Sequence, residues 1–133
     1  MSKSASNFRT PRSRALGLGS AKHGVSHFIV ERVSGLALIP LGLWGAFAAL
    51  RLSGGDYEGA MAWVGQPVNA VLLCLLLVVG LIHLKNAMQV VVEDYIEGFG
   101  AKTALLLLNL FVSVLAGALG VFAIVKIALT GAL

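Results

Sequence analysis

Residues 68–95 read VNAVLLCLLLVVGLIHLKNAMQVVVEDY, and this stretch decides the fold. The 18 residues from Pro67 to Leu84 carry no charge, and at about 1.5 Å of helical rise each they nearly cross a hydrocarbon core of about 30 Å. A single histidine, His83, lies inside this run, and the chain becomes acidic again only near Asp94. An ionisable group at such depth is costly in lipid and by default marks a functional site. The stretch therefore predicts a transmembrane helix with a buried imidazole.

Helical periodicity relates the imidazole to the polar end of the same stretch. His83 and Asp94 are 11 residues apart, roughly three turns plus 20°, which puts them on one face of the helix about 16 Å from each other. Tyr95 is rotated from that face by about 120°, and Lys85 is rotated from His83 by about 200°. The pattern thus predicts two polar positions on one side of the helix, one deep and one at the membrane surface.

The composition indicates an integral membrane protein. Of 133 residues, 58% are hydrophobic and 12% are charged, and the mean hydropathy is +0.90. The net charge of +4 could favour nucleic acid, but half of the ten basic residues precede the first apolar segment, namely Lys3, Arg9, Arg12, Arg14 and Lys22. Basic residues in that place orient a membrane protein and contact anionic lipid, so we expect no nucleic-acid partner and an N-terminus on the cytoplasmic or matrix side.

Three apolar segments are long enough to cross a membrane, and they leave little chain for a soluble domain. The sequence predicts an all-α membrane-anchor domain over residues 1–133, with a cytoplasmic arm at 1–27 and spans at about 28–52, 67–95 and 103–129.

Individual residues in the spans and loops lead to further predictions. Residues 53–66 are predicted to form a turn-rich loop, with aromatic side chains at the membrane interface. In the first span, small residues that include Gly35, Gly42 and Gly45 are expected to let helices approach closely. Asn109 and Ser113 in the third span lie on one face, and both are expected to form hydrogen bonds to a neighbouring helix.

His83 admits two interpretations. A neutral imidazole has one nitrogen lone pair, which suits haem iron or another metal, but it can equally form a hydrogen bond to a neighbouring helix. His23 and His27 precede the first span and lie at the wrong depth to bind the same iron. If His83 holds a six-coordinate haem, the opposite ligand must therefore come from another chain.

Other polar residues admit a ligand or a simpler role. Arg32 and Lys85 can meet a haem propionate or lipid headgroups. The Tyr95 phenol can donate a hydrogen bond to a quinone carbonyl and the Asp94 carboxylate can relay protons, or the two can be an interfacial tyrosine beside a solvated acid.

Two motifs resemble those of one known family. HLKNAMQVVVEDY, residues 83–95, and GSAKHGVSHFIVERVSGLALIPLGLW, residues 19–44, are similar to the hydrophobic membrane anchor subunit of succinate dehydrogenase, in an alphaproteobacterial style. By this resemblance His83 is an axial ligand of haem b, Tyr95 binds ubiquinone with Asp94 beside it, and Arg32 neighbours a haem propionate or the quinone site.

The resemblance also implies partners and a location. They are a second membrane cytochrome b subunit that supplies the other haem ligand, an iron–sulfur subunit and a flavoprotein subunit, together with membrane lipid. It favours a bacterial inner membrane over a mitochondrial one. The sequence departs from the family at two places: some members have a histidine aligned with Ser26 where this chain has His27, and others have an aromatic residue at Lys85.

The resulting prediction is the membrane-anchor subunit of a succinate:quinone oxidoreductase, working in the respiratory chain and the tricarboxylic acid cycle. The chain is not expected to be an enzyme on its own, since its sequence has no Gly-rich nucleotide motif and no cysteine cluster. Two alternatives stay open from sequence: the anchor of a fumarate reductase, and a cofactor-free structural or transport-accessory membrane protein.

Overall fold

The computed structural model of the chain describes residues 11–12 and 24–131. Within residues 24–131 four helices follow one another and no strand is present: α1 Gly24–Leu52, α2 Tyr57–Val64, α3 Pro67–Tyr95 and α4 Phe99–Thr130. The predicted all-α fold is confirmed.

Three of these helices are long and apolar enough to cross a membrane, namely α1, α3 and α4. Their 29, 29 and 32 residues give lengths of roughly 43 to 48 Å, so each exceeds a hydrocarbon core of about 30 Å and reaches the headgroup region. Helix α3 has the bounds predicted for the second span. Helix α1 begins at Gly24, inside the predicted arm, and α4 begins at Phe99, four residues before the predicted third span. The rest of the arm lies outside the described residues, apart from residues 11–12.

Helix α3 is the centre of the arrangement, because it packs against α1 on one side and against α4 on the other. Within the described residues, α1 and α4 make little contact with each other. Only six described side chains are buried: Ser34, Ala48, Ala70, Asn86, Val92 and Ile127. Most large apolar side chains are therefore at the surface of this row of helices, where lipid or other subunits must cover them.

Glycines allow the helices to approach closely at particular points. A Cβ atom at Gly45 would lie 2.6 Å from Leu76 Cδ2 on α3, and one at Gly120 of α4 would overlap the side chain of Leu77. Gly42, by contrast, has open space around it. Of the small residues predicted to form contacts in the first span, Gly45 does so and Gly42 does not.

Polar bonds fix the register of α3 and α4. Asn109 Nδ2 donates to the carbonyl oxygen of Lys85 at 2.9 Å, which confirms the predicted interhelical hydrogen bond for Asn109. The same prediction was wrong for Ser113, which forms no hydrogen bond to another helix in the described part of the chain. Nearer the connection between the two helices, Lys102 Nζ donates to the carbonyl oxygen of Glu93 at 2.9 Å. In both bonds a side-chain donor on α4 reaches a backbone carbonyl oxygen of α3, and the two bonds thus help to hold the pair together.

The prediction of a turn-rich loop at residues 53–66 was wrong for its middle part, which forms the eight-residue helix α2. Asp56 caps this helix, because its Oδ1 accepts a hydrogen bond from Gly59 N at 2.9 Å. Trp63 of α2 then stacks on Trp44 of α1, with ring centroids 5.7 Å apart. The aspartate before a run of helix-compatible residues was a start signal that the glycines of this segment obscured.

Candidate functional site

His83 lies where α3 meets α1. Its Nδ1 is 3.1 Å from Ser34 Oγ, although the two residues are 49 positions apart in sequence. A Cβ atom placed on Gly35 would lie 3.4 Å from His83 Cε1, so the glycine leaves just enough room for the ring beside α1. The ring is thus held by a polar contact and by close packing along the same edge.

Ser34 is itself engaged on α1. It is 7% exposed, and its Oγ donates to the carbonyl oxygen of Glu31 at 3.0 Å. A serine within a helix commonly uses its hydroxyl proton in this way. Ser34, His83 and Glu31 therefore form a short hydrogen-bonded chain that joins the two helices.

His83 also faces a cavity of about 560 Å³ between α1 and α3. The cavity has one imidazole, one guanidinium, one carboxylate and several apolar groups on its walls: Phe28, Glu31, Arg32, Gly35, Leu36, Ile39 and His83. The guanidinium carbon of Arg32 stands 5.1 Å from the centre of the Phe28 ring, a cation–π distance that steadies the arginine. The structure therefore brings Arg32 and His83, two of the predicted site residues, to one place.

This set of groups fits a haem held by one ligand from the chain. An imidazole nitrogen can ligate iron, a guanidinium can pair with a propionate carboxylate, and apolar walls suit the macrocycle. Among the described residues, no group of three or more His, Cys, Asp or Glu side chains could hold a metal ion. The one imidazole of the cavity can supply one ligand to a haem iron.

Asp94 and Tyr95 lie elsewhere, at the end of α3. Both are exposed, Tyr95 to 80%, and Tyr95 is 12 residues beyond His83, a helical rise of about 18 Å. The structure does not bring these two residues to the His83 cavity. They form a separate polar end of the helix on the same side of the fold as the start of α1.

Lys85 faces the opposite side of α3 from His83. It lines a groove against α4 with Leu110 and Ser113, and it is not part of the cavity that holds Arg32. The possibility that Lys85 meets a haem propionate in that cavity is therefore not supported. Of the remaining histidines, His23 lies outside the described residues, and His27 has a buried Nε2 without a hydrogen-bond partner in the described part of the chain.

Ser34 was missed by the sequence interpretation. A serine in a membrane span carries little signal by itself, and the pairing with His83 joins positions on separate helices. Only the three-dimensional packing of α1 on α3 reveals it. A spacing of seven residues between His27 and Ser34 places both on one face of α1. That spacing does not indicate which residue of another helix Ser34 contacts.

The fold and the cavity define a class of protein, a small integral membrane protein with an open cavity lined by one imidazole, one guanidinium and one carboxylate. Residues 6–125 match the family described as succinate dehydrogenase/fumarate reductase transmembrane subunit, and the chain belongs to that family.

Individual relatives agree with the family match. The chain is 32% identical over 102 residues to the succinate dehydrogenase hydrophobic membrane anchor subunit of Paracoccus denitrificans, an alignment that covers 77% of the chain and 79% of the relative. It is 31% identical over 103 residues to the subunit of the same name from Rickettsia conorii, covering 77% and 82%. The predicted family, and the predicted role as a membrane-anchor subunit rather than a catalytic subunit, are confirmed.

Proposed function

We propose that this chain anchors the soluble subunits of a succinate dehydrogenase to a bacterial inner membrane, supplies one axial ligand to haem b and contributes residues to the ubiquinone-reduction site. The observation that carries the proposal is the place of His83, paired at one ring nitrogen with Ser34 and lining a cavity with Arg32. The family match supports the anchor role.

At the haem position, each residue has a distinct task. His83 offers its second ring nitrogen as ligand, and Arg32 offers a fixed fork of donors to a propionate. Leu36 and Ile39 offer apolar wall to the macrocycle. When bound, haem b supplies a one-electron carrier whose potential the axial ligands and nearby charges tune.

At the quinone position, the phenol of Tyr95 donates a hydrogen bond to a carbonyl of the substrate. Asp94 passes protons from the aqueous side to the reduced quinone, which takes up two protons with two electrons. The high exposure of both side chains supports a site that other subunits complete, since the anchor alone leaves them open to solvent.

The proposed tasks also require other subunits, because this chain supplies only one haem ligand and part of the quinone site. A second membrane subunit, a cytochrome b, supplies the opposite haem ligand and covers part of the exposed apolar surface. An iron–sulfur subunit lies against the Tyr95 end of α3 and delivers the electrons, and it carries the flavoprotein subunit that oxidises succinate. Lipid covers the remaining apolar surface of the helices.

The substitution His83→Ala tests the haem assignment. In the purified complex, reduced-minus-oxidised spectra of this variant should lose the low-spin b-type signal, because the remaining ligand alone cannot keep the iron six-coordinate. Leu84→Ala is the matched control, since Leu84 is the next residue on α3 and is 56% exposed. It should keep the wild-type spectrum.

An unchanged spectrum in His83→Ala would refute the assignment. The hydrogen bond to Ser34 would then be the whole role of His83, as expected for an anchor without a cofactor. Succinate oxidation with an artificial acceptor, measured in the same preparation, verifies that the soluble subunits are present.

A further inference from the structure

We propose that Ser34 is the positioning residue of the haem ligand: it fixes the tautomer of His83 and sets the potential of the bound haem. This inference rests on the proposed ligation of haem by His83 and adds a residue to it. The evidence is the hydrogen-bonded chain between α1 and α3, in which Ser34 lies between His83 and Glu31.

Counting protons decides the direction of the bonds. The Ser34 hydroxyl has one proton, and the carbonyl oxygen of Glu31, 3.0 Å away, can only accept. With that proton given to Glu31, the 3.1 Å contact between Ser34 and His83 requires the imidazole to donate from Nδ1. The neutral ring then has its lone pair on Nε2, the nitrogen that remains for iron.

The opposite tautomer would be unable to ligate. If the hydroxyl proton pointed at Nδ1, the ring proton would lie on Nε2 and no lone pair would be available there. Ser34 is 7% exposed, so water has little access to compete for either bond. The back-bond to Glu31 thus makes the ligating tautomer the favoured one before any haem is bound.

The same contact has an electronic effect. A metal-bound histidine that donates its other N–H to an acceptor becomes a more basic ligand, and such outer partners tune the metal. A more electron-rich ligand stabilises the oxidised iron over the reduced iron. Loss of the acceptor should therefore raise the midpoint potential of the haem and weaken haem binding, typically by about 10- to 100-fold in affinity.

Ser34→Ala in the intact complex is the main test, read by optical redox titration, by the low-spin electron paramagnetic resonance signal and by haem transfer to a haem-scavenging protein. The expected result is a higher midpoint potential, altered g-values and faster haem loss. A 10-fold change in relative affinity for the two oxidation states corresponds to about 59 mV for one electron. Ser34→Thr keeps the hydroxyl and should restore wild-type values.

Ser53→Ala is the matched control, because Ser53 Oγ makes the same kind of bond, to the carbonyl oxygen of Leu50 at 2.9 Å, but is exposed at the far end of α1. It should leave the haem unchanged. Ser34→Cys covers the case in which the alanine variant fails to assemble: a thiol has nearly the same shape but is a weak acceptor, so the potential should again rise.

Wild-type potentials and wild-type haem retention in Ser34→Ala or Ser34→Cys would overturn the inference. So would equal shifts in the alanine and threonine variants, since these would trace the effect to shape and not to the hydroxyl. Failure of the underlying proposal gives a different result, which is an unaltered haem spectrum in His83→Ala or no haem in the wild-type complex.

Discussion

At the scale of single residues, a substitution of Tyr95 tests the proposed position of the quinone. The phenol is 80% exposed at the end of α3, and Tyr95→Phe removes one hydroxyl while it keeps the ring. One hydrogen bond contributes about 0.5–1.5 kcal/mol, so binding of ubiquinone should weaken by roughly 2- to 13-fold. The measurement is the KM for ubiquinone in the purified complex, with succinate oxidation by an artificial acceptor expected to stay normal.

Tyr57→Phe provides the matched control for this change. The chain has two tyrosines, and Tyr57 is 63% exposed at the start of α2, on the other side of the membrane from Tyr95. Its substitution should leave the KM unchanged. Fully normal quinone reduction in both Tyr95→Phe and Asp94→Asn would place the quinone elsewhere. A loss of turnover well beyond 13-fold would mean that the hydroxyl also acts in the transition state.

At the scale of helices, the pairing of α3 with α4 includes two polar bonds among apolar contacts, and the one made by Asn109 lies away from the connection between the helices. Asn109→Leu removes the hydrogen bond to the carbonyl oxygen of Lys85 and keeps a side chain of similar size. Interhelical hydrogen bonds in membranes contribute on average about 0.6 kcal/mol and at most about 1.7 kcal/mol. The free energy of unfolding in an SDS titration of the purified complex should fall by that amount.

Ser113→Ala is the control at this scale, since Ser113 is one turn from Asn109 and lines a groove against α3 without forming a hydrogen bond in the described part of the chain. It should change the unfolding free energy little. A loss above about 3 kcal/mol in Asn109→Leu would indicate that the bond also positions a partner subunit. No loss at all would mean that lipid or water replaces it.

The same helices show which parts of the structure could be predicted from the sequence. The spans were predictable because hydrophobic length is a property of the chain itself, and Asn109 was predictable because a buried amide in lipid must find a partner. The pairing of Ser34 with His83 was not, since it depends on how α1 rotates about its axis against α3. Helix α2 was missed because glycines on both sides of its Asp56 cap resemble a loop.

At the scale of the whole molecule, the antiparallel order of the long helices gathers positive charge at one end. Gly35 lies beside His83 and Gly45 beside Leu76, so the start of α1 and the end of α3 are on the same side of the membrane. Eight of the ten basic residues belong to that side by their position in the chain, whereas Arg51 and Lys126 lie towards the other. In membrane proteins, the side richer in Lys and Arg next to the spans generally stays in the cytoplasm.

We therefore predict that the N-terminus and the Tyr95 end of α3 face the cytoplasm. Single cysteines at Ser4, Gly55 and Ala132, introduced in a Cys74→Ser background, can be probed with a membrane-impermeant maleimide in intact cells. Gly55 and Ala132 should react, and Ser4 should react only after the cells are permeabilised, which is the control for its reactivity. The reverse pattern would put Tyr95 at the periplasmic surface, where a cytoplasmic iron–sulfur subunit could not deliver electrons. The proposed quinone position would then fail together with the orientation, while the proposed ligation of haem by His83, which lies between the two surfaces, would be unaffected.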